Sequence, residues 1–190
     1  MSKHGSPAPL TTIPSRSGCD SGTHRAVDVP RDGRRYEVVD GRLLITGAQP
    51  PAHHAAVVAL MIALKRACPP ELLVSVGSLD FRPTRDLSLR PDLLVCHRAN
   101  AGPRLLTTPP MLVVEVLSPS TRTTDAVLKR TLYETHQVPS YWLLDPTHRE
   151  VTILALTPTG YTCQAVIQSE ETFHTTTPFP VTLCPSALTR

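Results

Sequence analysis

The sequence predicts an α/β (α+β) protein built on a mixed central β-sheet flanked by helices, and three observations carry that prediction. The stretches "RPDLLVCH" (90–97) and "MLVVEVL" (111–117) are short, apolar and β-branched, as central strands are. The stretch "PPAHHAAVVALMIALKRACPP" (50–70) is a long apolar segment with prolines at both ends, as a bounded helix is. Between residues 111 and 145 a strand, a helix and a strand follow one another like a crossover unit, while hairpin signals on either side argue against a purely parallel sheet.

In chain order, residues 1–25 are rich in Ser, Thr, Pro and Gly and are expected to form a disordered tail, leaving 26–190 as one domain. Residues 1–20 contain no apolar core of a secretory signal, so none is expected. "RRYEVVDGRLLITG" places Asp40-Gly41 between two strand-like runs, a hairpin signal. The helix that follows is apolar around most of its circumference and is expected to be largely buried, with Lys65 and Arg66 suiting the negative end of its dipole. "ELLVSVGSLDFRP" reads as one strand, or as two broken at Gly77. In "SPSTRTTDAVLKRTLYETHQV", Thr123 or Thr124 is a candidate cap, Asp125 sits in the first turn, and the helix runs to about Gln137. "PSYWLLDPTHREVTILAL" reads as two strands about a turn at Asp145-Pro146. "GYTCQAVIQ" is a further strand able to pair with them, and "TTPFPVTLCPSALTR" closes the chain with a short strand and a tail. No internal repeat is present.

Composition narrows the function classes. A chain of 190 residues, 41% hydrophobic and 18% charged, fits a soluble globular domain, and a net charge of +3 permits nucleic-acid binding without arguing for it. The cysteines Cys19, Cys68, Cys96, Cys163 and Cys184 form no CxxC pair, which points to reduced thiols in a cytoplasm and away from zinc. The longest apolar stretch, Ala55 to Leu64, is too short to cross a bilayer.

Chemistry enters with the acidic residues. Glu115 lies inside Leu112, Val113, Val114, Val116 and Leu117, where a buried carboxylate without a partner is costly. Asp92 opens the other apolar strand. If the two strands are neighbours, the carboxylates meet, and a hard divalent cation such as Mg²⁺ relieves their repulsion. Otherwise Asp92 is a turn residue after Pro91, and Glu115 pairs with an arginine such as Arg90. Lys129, on the helix after the Glu115 strand, is placed either to polarise a water or phosphate or to form a surface i,i+4 pair with Asp125. Glu37 faces either inward or toward solvent. His53 and His54 read as a polar helix entrance, Ser118 lacks a nucleophile elbow, and Tyr141 and Trp142 read as core.

"YEVVDGRL", a histidine opening a helix, "RPDLLV", "PMLVVEVLSPST", "DAVLKRTLYETHQVPSYWLLDP" and "REVTILAL" occur in that order. Together, over about residues 30 to 188, they resemble the Uma-two family of restriction endonucleases within the PD-(D/E)XK nuclease superfamily. The resemblance implies a restriction-endonuclease-like fold and hydrolysis of phosphodiester bonds in DNA with Mg²⁺, or Mn²⁺ in its place. It matches Asp92 to the Asp of the PD element and Glu115 to the acid of (D/E)XK, both as metal ligands together with the backbone carbonyl of Val116. Leu117 stands where the lysine of that element belongs, so Lys129 is the candidate migrated lysine. Glu37 matches the glutamate of the family's "YE" element, in support of the metal site. Arg82, Arg85, Arg90, Arg122 and Arg130 are candidate phosphate contacts, or else surface groups and ion-pair partners. Cutting both strands of DNA needs two active sites, so a homodimer is expected. Two other readings remain: a non-catalytic domain that binds nucleic acid or a protein partner, favoured by Leu117, and a nuclease acting on RNA or structured nucleic acid.

Overall fold

The computed structural model of the chain describes residues 10–12 and 34–189. The expected disordered tail, 1–25, therefore lies outside the described residues except at Leu10–Thr12, which form strand β1. Strands β2 (Arg35–Val39) and β3 (Arg42–Thr46) make the hairpin read from the sequence. Its turn residues Asp40 and Gly41 have φ of 50° and 70°, the two left-handed positions that a tight hairpin of this hand requires.

Helix α1 (Pro51–Ala67) follows, then β4 (Leu72–Val76) and β5 (Asp80–Thr84). These are two strands and not one, because Gly77 turns the chain at φ 53°. Next come β6 (Leu87–Leu89), β7 (Leu93–His97), β8 (Leu105–Leu106) and β9 (Leu112–Val116). A π-helical turn over Thr124–Lys129 runs into α2 (Arg130–Thr135). The chain closes with β10 (Ser140–Asp145), β11 (Glu150–Thr157), β12 (Gly160–Gln168), β13 (Phe173–Thr175), β14 (Val181–Leu183) and α3 (Pro185–Leu188).

The central sheet has the order β12-β11-β10-β9-β7-β4. β9 and β10 are parallel, joined by the α2 crossover, and the other neighbours are antiparallel, so the sheet is mixed as expected. A second sheet, β1-β3-β2-β6-β5-β8, packs on one face. Its strands β6 and β8 are too short to leave a periodic signal.

Side-chain alternation splits the core in two. Leu93, Val95, Leu112, Val114 and Trp142 face α1 and α3. Leu94, Val113 and Tyr141 face the second sheet and α2, meeting Val39, Phe81 and Tyr133. Tyr141 and Trp142 are fully buried, as expected of core residues.

Three expectations need correction. α1 is not largely buried all round: Ala56, Val57, Leu60 and Leu64 are inside, but Val58 is 50% exposed and Ile62 42%. One sheet covers only one side of a helix, and apolar composition cannot say how many sides are covered. Thr123 is not a cap, because its backbone is already helical at φ −67°, ψ −41° and its side chain makes no capping bond. The helix also stops at Thr135, before Gln137, which takes a left-handed φ of 58°.

Candidate active site

Register and alternation together build the site. β7 and β9 run antiparallel with Leu93 opposite Val114, so one step along places Asp92 opposite Glu115. Glu115 lies two residues beyond Val113, and Asp92 two residues before Leu94, so both side chains emerge on the face toward the second sheet. On β2, Val39 packs into that same core, and Glu37 and Arg35 follow it at the strand period of two. The helix after β9 crosses this face and brings Asp125 and Lys129.

Lys129 is the hub of one half of the site. It is only 2% exposed, and its Nζ lies 3.0 Å from Glu115 Oε1, 3.2 Å from Glu37 Oε2 and 3.3 Å from Asp125 Oδ1. Tyr133 donates to the same Glu115 Oε1 at 2.9 Å, and the backbone N–H of Arg90 donates to Glu37 Oε1 at 2.8 Å. Burial disfavours the ammonium of Lys129, but Glu115, Glu37 and Asp125 outweigh burial and raise its pKa above the ordinary lysine range. Burial raises the carboxyl groups of Glu115 and Asp125; Lys129 pulls both down, and the neighbouring carboxylates add to the rise.

Asp92 anchors the other half. Its Oδ1 is bound by Arg35 Nη2, and its Oδ2 accepts from the backbone N–H of Val116 at 2.7 Å and meets His53 Nε2 at 3.1 Å. Burial works against the ionised form, but the hydrogen bond from His53 and the charge of Arg35 outweigh it and hold Asp92 well below the usual carboxylate range. An ionised carboxylate only accepts, so Nε2 carries the proton in that contact, and His53 Nδ1 has no hydrogen-bond partner. The second nitrogen of Arg35, Nη1, lies 3.5 Å from Glu115 Oε2, a buried atom without a hydrogen bond among the described residues.

Does this cluster suit a divalent metal? Four carboxyl groups, from Glu37, Asp92, Glu115 and Asp125, face the two fixed cations Arg35 and Lys129, so acidic groups outnumber the cations. The donors are hard oxygens, and Glu115 Oε2 is an orphan aimed at the gap between Glu115 and Asp92. The N–H and C=O of one strand residue point to the same side. The Val116 carbonyl therefore turns to the side on which its N–H meets Asp92. Among the described residues no group of three or more His, Cys, Asp and Glu is arranged to hold an ion by itself. Two carboxylates, a carbonyl and retained waters are the set Mg²⁺ ordinarily takes, and the residues fit it.

The structure thus brings Asp92, Glu115, Lys129, Glu37 and Val116 together. Lys129 makes the i,i+4 contact with Asp125, but as a buried pair inside the cluster and not on the surface. Glu37 faces inward at 1% exposure. Glu115 does not pair with Arg90, which is tied to Asp80 at 2.6 Å. Arg122 binds Asp145, and Arg130 donates to the carbonyl of Tyr161, so these arginines too have partners inside the chain. Sequence reading missed four groups: Arg35, His53, Asp125 and Tyr133. His53 is not a polar helix entrance but a buried contact of Asp92. For Arg35 a signal was available, since it stands two residues from Glu37 and so shares its strand face.

Fold and site define a mixed α/β scaffold with a buried acidic cluster. Residues 25–187 match the Uma2 family, described as "Putative restriction endonuclease", and the chain belongs to that family. A solved structure described as "a putative nuclease belonging to DUF820 from Anabaena variabilis" is similar in fold, with a TM-score of 0.71 at 16% identity over 85% of this chain and 93% of that one. A search of curated proteins returns no match. Among the described residues no helix is long and apolar enough to cross a membrane.

Proposed function

We propose that the protein is a Mg²⁺-dependent endonuclease, with Mn²⁺ able to substitute, that hydrolyses phosphodiester bonds in DNA and acts as a homodimer. The observation that carries this reading is the direct opposition of Asp92 and Glu115 across β7 and β9, on one face, with Lys129 Nζ 3.0 Å from Glu115. Asp92, Glu115 and the carbonyl of Val116 are the groups that would hold the ion. When bound, it supplies a Lewis acid for the phosphoryl oxygens and lowers the pKa of a bound water.

The chain's own residues do the rest. Lys129 is a compact point charge within reach of three carboxylates, and in this reading one of its three N–H donors turns from a carboxylate to the attacking water. It takes the role left vacant by Leu117, arriving from the helix and not from the strand. Glu37 and Asp125 also hold Lys129, at 3.2 and 3.3 Å. Tyr133 fixes Glu115 Oε1, leaving Oε2 as the oxygen turned toward Asp92. His53 and the Val116 N–H fix Asp92 in the same way.

The test is cleavage of supercoiled plasmid with and without Mg²⁺ or Mn²⁺, alongside Glu115→Ala and Lys129→Ala. Metal-dependent nicking or linearisation lost in Glu115→Ala supports the nuclease, and loss in Lys129→Ala supports its role at the water. DNA binding without cutting in any metal favours the second reading, a non-catalytic nucleic-acid-binding domain, for which Leu117 is the specific observation. Cutting of RNA but not of DNA overturns the substrate assignment.

A further inference from the structure

We propose that Arg35 is a built-in competitor of the metal: its guanidinium bridges Asp92 and Glu115, and a divalent cation enters only by displacing it. The inference rests on the metal reading of Asp92 and Glu115 given above.

Each carboxylate has one oxygen spoken for and one turned to the gap. Asp92 Oδ2 is held by the Val116 N–H and His53, and Glu115 Oε1 by Lys129 and Tyr133. The remaining two, Asp92 Oδ1 and Glu115 Oε2, have one charged partner in common, the two terminal nitrogens of Arg35. An ion joining these carboxylates through their free oxygens needs the same lone pairs that the guanidinium faces. Guanidinium and metal therefore exclude one another.

The arrangement also explains why such a plug is present. Without it, the two oxygens turned to the gap, Asp92 Oδ1 and Glu115 Oε2, would lose the cation they share, leaving Lys129 to serve Glu115 from its other oxygen only. The planar fork of a guanidinium presents separate nitrogens to the two carboxylates, Nη2 to Asp92 and Nη1 to Glu115. Displacement is open to it because Arg35 begins β2 and its side chain is 17% exposed, unlike Lys129 at 2%. Lys129 is locked in by three carboxylates, whereas Arg35 can swing out to solvent. The apparent metal affinity is then lowered by the fraction of molecules in which the gap is open.

The experiment is a Mn²⁺ titration followed by electron paramagnetic resonance on the full chain. It compares the wild type with Arg35→Gln, Arg35→Lys and Asp92→Asn, with melting curves in EDTA and in Mn²⁺. Arg35→Gln is expected to bind Mn²⁺ at least about tenfold more tightly than wild type. It should melt lower in EDTA and gain more from Mn²⁺, with Arg35→Lys in between. Side-chain ¹⁵N NMR of arginine-labelled wild type gives a readout that survives any folding failure of the variants. The Arg35 Nε–H signal, assigned in the wild type by through-bond correlation to its own backbone, should move on Mg²⁺ addition as the guanidinium leaves the gap. Equal or weaker Mn²⁺ binding by Arg35→Gln, or an Arg35 signal unmoved at metal saturation, overturns the competitor role while leaving the metal site standing. If wild type and Arg35→Gln both fail to bind Mn²⁺, the metal reading falls and this inference with it.

Discussion

Asp92 and Glu115 face one another, yet the fold treats their charges in opposite ways. Asp92 is held well below the usual carboxylate range because His53 and Arg35 outweigh its burial, so the ionised form stabilises the fold. Glu115 is raised by burial despite Lys129, so its ionised form costs stability. In metal-free buffer at neutral pH, Asp92→Asn should therefore lower the melting temperature, while Glu115→Gln should leave it unchanged or raise it even as cleavage is lost. Differential scanning calorimetry of both variants checks the sign, and a large loss in Glu115→Gln would contradict it. The contribution of Asp92 is present above the ordinary carboxylate range of about pH 4 and is lost as the pH falls through its depressed folded value. Lys129→Met leaves three buried carboxyl groups without their shared cation and should cost about 3–5 kcal/mol in a urea melt. Tyr133→Phe removes one of two hydrogen bonds to Glu115 Oε1 and should cost about 1 kcal/mol. Asp92 and Glu115 were legible from residue type alone, because a carboxylate on an apolar strand demands a partner. Which cation answered was not legible: Arg90 stands near in sequence, whereas Arg35 comes from a strand of the second sheet.

At the level of the element, α1 carries the clearest lesson. Its bounds follow from the flanking prolines, and its inner face packs Leu60 and Leu64 against the central sheet. Leu60→Ala or Leu64→Ala should destabilise by about 2–5 kcal/mol. Ile62→Ser, on the exposed face, should stay within about 0.5 kcal/mol, and equal losses at Ile62 and Leu60 would mean that face is covered after all. The π-helical turn over Thr124–Lys129 lies outside what a sequence period shows. There the Arg130 N–H bonds the Asp125 carbonyl five residues back, and the widened turn carries both Asp125 and Lys129 into the cluster. A surface pair and a buried one have the same i,i+4 spacing, so the spacing could not separate them.

For the whole molecule, metal binding and stability are one measurement. A ligand at about a hundredfold its dissociation constant stabilises by about 2.7 kcal/mol. For a chain of this length that is a rise of about 5–10 °C in melting temperature. Saturating Mn²⁺ should produce such a rise in wild type and none in Asp92→Ala, read by thermal melting. If DNA is bound through phosphates, affinity should fall linearly in log–log against salt. Sedimentation velocity tests the homodimer, and a monomer at cleavage-competent concentrations would exclude it.

By itself the sequence determined the mixed α/β class, the hairpin at Asp40-Gly41, the long first helix, the central strands and the placing of Asp92 and Glu115 on two apolar strands, which follow from local periodicity, turn chemistry and the cost of charge in apolar surroundings. Glu37 and Lys129 joined them only through the resemblance to a nuclease family, because their own patterns fit solvent-facing positions equally well. Only the tertiary structure decided that β7 and β9 are neighbours in a register setting Asp92 against Glu115. It alone decided that Lys129 is interior and that Arg35 and His53 close on Asp92. Those are long-range pairings, governed by which faces bury against which, and no local pattern carries that information.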